Sequence, residues 1–106
     1  MKKNISTPTS FCLDQNYPNP FNPTTMINFT LPEAGKVTVN VYTESGQLVR
    51  TLVEREMGTG RYMVVWNGLN QSGNLVSTGI YMYRIIVQSK EGKTVFTETR
   101  RMTMFK

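Results

Sequence analysis

Histidine is absent from the 106-residue chain, which excludes His-based metal sites, the usual general base near neutral pH and every His-dependent triad. The one cysteine, Cys12, cannot close an intrachain disulfide, and a thiolate zinc site or a redox pair would need further thiols. A lone thiol of this kind is expected to behave as a passive small hydrophobe. Nothing in the composition asks for a cofactor. No apolar run approaches the ~20 residues of a membrane helix. Behind Lys2 and Lys3, the residues Asn4, Ser6, Thr7, Pro8, Thr9 and Ser10 leave no apolar stretch of ~7 residues for an export signal. A soluble chain without a leader is therefore expected, and its length fits one domain.

The net charge of +5 raises the question of nucleic acid, but the charge is badly placed for it. Between residues 14 and 89, Lys36, Arg50, Arg55, Arg61 and Arg84 are balanced by Asp14, Glu33, Glu44, Glu54 and Glu56. The excess sits at the ends: Lys2 and Lys3 in front, and Lys90, Lys93, Arg100, Arg101 and Lys106 against Glu91 and Glu98 behind. A nucleic-acid module would carry a basic face threaded with aromatics on the fold itself, so no nucleic-acid partner is expected.

What is present is a hydrophobic period of two. Ile27, Phe29 and Leu31 alternate with polar neighbours, as do Val37, Val39 and Val41, and each set describes a half-buried strand. Pro32 to Gly35 and Glu44 to Gly46 carry turn residues that predict hairpins. Leu48, Val49, Leu52 and Val53 fit a helical turn as well as a bulged strand, and are taken as strand. Arg55 to Gly60 is too glycine-rich for a helix interior and reads as a loop or bulge. Tyr62, Val64 and Trp66 share one face of the next strand. Asn67 to Asn74 turns the chain, with Asn and Gly supplying the positive φ angles, and a short run follows at Leu75 to Ser77. From Ile80 to Gln88, Arg84 shares a face with Ile80, Met82 and Ile86. Tyr81, Tyr83, Ile85 and Val87 are therefore the core face. Lys93 to Phe105 is a long last strand with no continuously apolar face across Glu98 to Arg101, which predicts a bulge there that resets the register and buries Met102 and Met104. Short strands every ~8–12 residues with turn signals between them predict an all-β, immunoglobulin-like antiparallel β-sandwich of about seven strands. Trp66 would sit in its core with no disulfide beside it.

The segment Gln15 to Pro23 is unusual: Pro18, Pro20 and Pro23 fix φ and push their predecessors to extended geometry. This predicts a polyproline-like strip anchored by Tyr17 and Phe21. A stiff cover over a sheet edge accounts for such a strip without any partner.

Leu13, the run from Gln15 to Pro23 with Thr24-Thr25, and then Ile27, Phe29 and Leu31-Pro32 resemble the opening of the type A C-terminal sorting domain carried by cargo proteins of the type IX (Por) secretion system in Bacteroidetes. The likeness continues in order through Val37 to Tyr42, Gly46, Val49 to Leu52, Gly60-Arg61-Tyr62, Trp66-Asn67-Gly68, Gly73, Val76, Gly79 to Arg84 and Arg101-Met102 to Lys106. It covers residues 13–106, leaving 1–12 as a flexible flank. The resemblance implies a domain at the C-terminal end of a larger exported protein, fused behind a passenger. Such a domain is read by the outer-membrane translocon in transit through the periplasm and is handled by a sortase-like peptidase at the cell surface, where many cargoes are joined to anionic lipopolysaccharide. On this reading the recognition candidates are Tyr17, Pro18, Asn19, Pro20, Phe21, Asn22 and Pro23 in the strip, and Lys93, Arg100, Arg101 and Lys106 at the tail, with Met102 and Met104 holding the last strand in register. The family's loop after the Trp is usually Asp-rich; here Asn67 and Asn70 are neutral, so a calcium site is not expected.

Two other classes compete. A structural or adhesive module, as in flagellar hook-capping proteins or a glycan binder, would use Tyr42 and Tyr62 as exposed platforms. An enzyme would need paired carboxylates, but Asp14, Glu33 and Glu44 fall in separate turns with no nucleophile, base or metal cluster. A non-catalytic domain is expected.

Overall fold

The computed structural model describes residues 8–105. Seven strands follow in chain order: β1 (Cys12–Leu13), β2 (Thr25–Leu31), β3 (Gly35–Thr43), β4 (Leu48–Met57), β5 (Gly60–Trp66), β6 (Gly79–Gln88) and β7 (Thr94–Met104). They form two antiparallel sheets, one ordered β1-β2-β5 and the other β4-β3-β6-β7. Of the flank expected over 1–12, residues 1–7 lie outside the described residues. Phe11 stacks on Phe96 at 5.0 Å, and Cys12 opens β1.

The two alternating apolar sets do what the period of two requires. Ile27, Phe29 and Leu31 on β2 and Val37, Val39 and Val41 on β3 are buried between the sheets. Tyr81, Tyr83, Ile85 and Val87 of β6 lie beside the β3 set in the same sheet and are buried with it. Trp66 is fully buried without a disulfide; Tyr81 meets it edge-on at 5.6 Å, Phe21 packs tilted at 5.6 Å, and its Nε1–H donates to the Leu69 carbonyl at 2.9 Å.

Several expectations are corrected. The corner from Pro32 to Gly35 is not a hairpin, since β2 pairs only with β1 and β5, and the chain there crosses to the other sheet. Its glycine answers a close approach instead, because a Cβ on Gly35 would lie 2.7 Å from the Gln88 carbonyl oxygen. The hairpins are β3–β4 and β6–β7, closed by Gly46 N–H donating to the Thr43 carbonyl and Gly92 N–H to that of Ser89. Arg55 to Met57, expected in a loop, continue β4 opposite Val37 to Gly35, where the ladder satisfies their backbone. The ambiguous pattern in β4 has a simple cause: Leu52 and Val49 are extra residues opposite the steps Val39/Asn40 and Val41/Tyr42, and two bulges bring apolar neighbours close together. The run Leu75 to Ser77 reduces to an isolated bridge between Leu69 and Leu75.

The last strand buries Met102 and Met104 as expected, but not by the bulge at Glu98 to Arg101. Its ladder with β6 is unbroken from Phe96 to Met104, and the irregularity lies at Val95. Phe96, Glu98, Arg100, Met102 and Met104 thus share the inward face. Glu98 and Arg100 tolerate it because β7 is an edge strand: each stays about a third exposed, and the two form an ion pair at 3.1 Å. Inward-pointing charge on an edge strand also discourages pairing with other chains.

Candidate recognition site

The proline segment and the last strand, more than 80 residues apart in sequence, meet in one clasp. Alongside β2, Tyr17 and Met26 exchange both backbone hydrogen bonds at 2.9 Å. The chain then bends through Pro18 to Pro20 and reaches the other sheet, where Phe21 N–H donates to the Thr103 carbonyl and Phe105 N–H donates to the Phe21 carbonyl. The Asn19 side chain accepts from Thr103 N–H at 3.0 Å, and the Gln15 amide donates to the Arg101 carbonyl at 2.8 Å. Arg100 Nε–H donates to the Leu13 carbonyl at 2.7 Å. The strip therefore bends and spans both sheets, in place of the straight polyproline-like strip expected. It covers the C-terminal part of the β7 edge, which bears out the idea of an edge cover there.

Beneath the strip lies a polar cluster that the sequence reading missed. The Tyr83 hydroxyl donates to the Asp14 carbonyl at 2.6 Å and accepts from Asn16 N–H at 2.8 Å. The buried Asn16 amide donates to Thr25 Oγ1 and to the Pro18 carbonyl, and Thr25 Oγ1 donates to that same carbonyl. A buried polar side chain needs such partners. The tyrosine on the core face was a usable signal, because a buried phenol must find one. Desolvation by burial pushes the Tyr83 phenol up to about 12, so it stays a donor across the neutral range.

Of the two expected anchors only Phe21 is one; Tyr17 is 73% exposed, held by its backbone with its ring in solvent. Pro18, Asn19, Pro20 and Asn22 are exposed and Pro23 is half-buried. Pro23 lies over Gly68, whose added Cβ would stand 3.0 Å from the Pro23 carbonyl oxygen. Arg101 is exposed on the outer face of β7, Arg100 half-buried, and Met102 and Met104 fully buried. Lys93 is exposed in the β6–β7 turn, seven residues along the strand from Arg100 and so roughly 20 Å from the nearest part of the clasp. Lys106 lies outside the described residues.

The residues of the competing readings are also placed. Tyr62 is half-buried, stacked on Phe29 at 5.5 Å with its hydroxyl donating to the Gly58 carbonyl. The Arg84 guanidinium lies over the Tyr42 ring at 5.2 Å. Neither tyrosine is the open platform expected. In the Asn67 to Asn74 loop the positive φ angles belong to Gly68 and Gly73 and not to asparagine. Asn70 Oδ1 accepts from the backbone of Ser72 and Asn74, and Asn67 Oδ1 from that of Leu69. Among the described residues no three His, Cys, Asp or Glu side chains gather so as to hold a metal ion. Cys12 is exposed, not buried, and its thiol donates to Asp14 Oδ1 at 3.2 Å, which holds the thiol above its usual range.

Two facing antiparallel sheets of three and four strands, an intersheet Trp and a satisfied polar seam at one edge define an immunoglobulin-like β-sandwich module. The family model described as "FlgD Ig-like domain" matches residues 19–93, and the chain belongs to that family. No curated protein sequence matches the chain significantly. Among solved structures it is similar to dimeric latent PorU from Porphyromonas gingivalis, with TM-score 0.73 and 18% identity, covering 94% of this chain and 10% of that one. It is similar to FlgD from P. aeruginosa at TM-score 0.62 and 27% identity, covering 76% of this chain and 61% of FlgD. PorZ from Porphyromonas gingivalis, described as a surface component of the type-IX secretion system, is matched at TM-score 0.51 and 20% identity, over 91% of this chain and 11% of that one. The chain thus spans a tenth of PorU and under two thirds of FlgD.

Proposed function

We propose that this module is a non-catalytic C-terminal sorting domain of the type IX secretion system, carried behind a passenger and read by the outer-membrane translocon during passage from periplasm to cell surface. The observation that carries this reading is the clasp. Tyr17 to Pro23 and the stretch from Arg100 to Met104, most of the residues that the resemblance offers for recognition, are tied together by the hydrogen bonds of Asn19 and Phe21 to Thr103 and Phe105, with Lys93 standing apart. A translocon that reads this surface reads a folded edge, so an unfolded tail peptide would not suffice. The fold-level likeness to PorU and PorZ, the second described as a type-IX component, agrees with this. At the surface, a sortase-like peptidase would remove the domain and the passenger would be joined to anionic lipopolysaccharide.

A signal-bearing reporter fused in front of the module tests the proposal in a host with the system. Export is expected with the intact module and lost when Arg101 to Lys106 is deleted. Asn19→Ala should weaken export in step with loosening of the clasp. Unchanged export of the truncated fusion would refute the assignment. The family match and the 27% identity to FlgD favour a second reading, a structural immunoglobulin-like module of a flagellar hook-cap type of protein. Under it the fusion would not be exported at all, although the module folds.

A further inference from the structure

Residues 11–21 run beside β7 in the same direction, and the contacts between the two segments ascend in step. Phe11 stacks on Phe96, the Leu13 carbonyl accepts from Arg100 Nε–H, and the Gln15 amide donates to the Arg101 carbonyl. Further on, Asn19 accepts from Thr103 N–H and the Phe21 carbonyl accepts from Phe105 N–H. The bridge between Phe21 and Met104 is accordingly parallel. The C-terminal end of β7 thus holds the far end of the strip, and the entry segment, residues 11–16, is held farther back along the strand.

Arg100 is the strongest tie of that entry segment to β7. Asp14 N–H donates to the Asn28 carbonyl on β2. Backbone groups alternate sides along an extended chain, so those of Leu13 point away from β2 and toward β7. Leu13 is fully buried, and a buried carbonyl needs a donor. The Arg100 guanidinium supplies it at 2.7 Å, while Glu98 holds another arm of the same group at 3.1 Å. Hydrogen bonds from a charged donor are among the stronger kinds. The neighbouring Arg101 is exposed on the outer face and serves the clasp through its backbone carbonyl.

We propose that Arg100, steered by Glu98, is a positioning residue that latches the entry segment to the last strand, and that a pull on the C-terminal side of β7 opens this latch after the rest of the clasp. Because the segments are parallel, such a pull parts Phe105 from Phe21 first, then Thr103 from Asn19, then Arg101 from Gln15, and Arg100 from Leu13 after them. A partner that grips residues 103–105 frees the bend at Pro18 to Asn22 and leaves residues 11–16 seated. One that draws the strand away as far as Arg100 leaves the entry resting on β2, the Tyr83 hydroxyl and the stack of Phe11 on Phe96. On the sorting reading, on which the use of this device rests, the chain at the front of the module is loosened once the tail has been taken, and not before.

Amide hydrogen exchange of the purified chain tests the latch apart from export, so the latch and the sorting reading can fail separately. Arg100→Met keeps an unbranched stem and removes the donor. It should speed exchange at Asp14 and Asn16 at least fivefold, with Phe21, Val39 and Ile85 unchanged. Glu98→Gln, a gentler disturbance of the same latch, should move the same two amides in the same direction, and Arg101→Gln should move none of them. Deleting Phe105 and Lys106 spares the buried Met104 and should speed Phe21 at least fivefold while Asp14 and Asn16 stay within twofold; Asn19→Ala should show the same order. The proposal is overturned if both Arg100→Met and Glu98→Gln leave Asp14 and Asn16 unchanged, or speed Val39 and Ile85 equally. It is also overturned if trimming the tail loosens Asp14 as much as Phe21.

Discussion

Replacing Tyr83 by Phe removes one oxygen and leaves the ring, so it isolates the polar seam from the packing around it. The hydroxyl serves the Asp14 carbonyl and Asn16 N–H, and Asn16 is buried. The carbonyl belongs to an exposed residue and can turn to water. The amide cannot, and an unpaired buried donor costs about 1–3 kcal/mol, to which the lost bond to Asp14 adds about 1 kcal/mol. A loss of about 2–4 kcal/mol at pH 7 is expected. In a domain of this size that lowers Tm by roughly 8–30 °C. The alkaline limb gives an independent check. The folded-state phenol is raised to about 12 from an ordinary value of 10.0. Its contribution is therefore fully present below pH 10 and is lost as pH rises through 12, at about 1.4 kcal/mol per pH unit within that window. The gap between wild type and Y83F, measured by urea unfolding from pH 7 to 11.5, should be flat up to pH 10 and then shrink, because the variant has no such proton to lose. A variant within 0.5 kcal/mol of wild type at pH 7, or a gap unchanged between pH 9 and 11.5, would refute the assignment of the seam as a support of the clasp.

Gly68 and Gly73 both sit at positive φ, but a Cβ at Gly68 would also press on the Pro23 carbonyl oxygen at 3.0 Å, whereas Gly73 has open space. Alanine at Gly73 should cost the left-handed penalty alone, about 1–2 kcal/mol. Alanine at Gly68 should cost measurably more and shift the backbone amide resonances of Phe21 and Thr103, and equal costs by thermal denaturation would contradict the Pro23 contact. Cys12 donates to Asp14 and its thiol is raised chiefly by that bond, so the thiolate is scarce at neutral pH. Asp14→Asn should lower the thiol pKa and speed alkylation by iodoacetamide at pH 8; an unchanged or slower rate would remove the carboxylate from the account.

The strands that line the core were legible because burial on one face imposes a period of two, and that period survives in the letters: Val37, Val39 and Val41 need no neighbour to be recognised. Trp66 and the tyrosines of β6 were legible for the same reason, with Arg84 excluding the opposite face. Where local pattern and tertiary demand part company, the letters mislead. The corner at Pro32 to Gly35 carries hairpin residues, yet it crosses between sheets, because what needs a glycine there is the carbonyl of Gln88 on a distant strand. Glu98 and Arg100 suggested a bulge because an inward charge is costly when sealed, and only the sheet order shows β7 to be an edge where they remain wetted.

The sequence by itself determined the class of fold, the inward faces of β2, β3, β5 and β6, and the lack of histidine and of a second thiol, since these follow from residue type and alternation along one segment. Tertiary structure alone decided that Phe21 and not Tyr17 is the anchor, that Tyr83 serves the proline segment, and which edges are closed. Each of these depends on partners found tens of residues away, and hydrogen-bond direction across such distances leaves no periodic trace in a single chain.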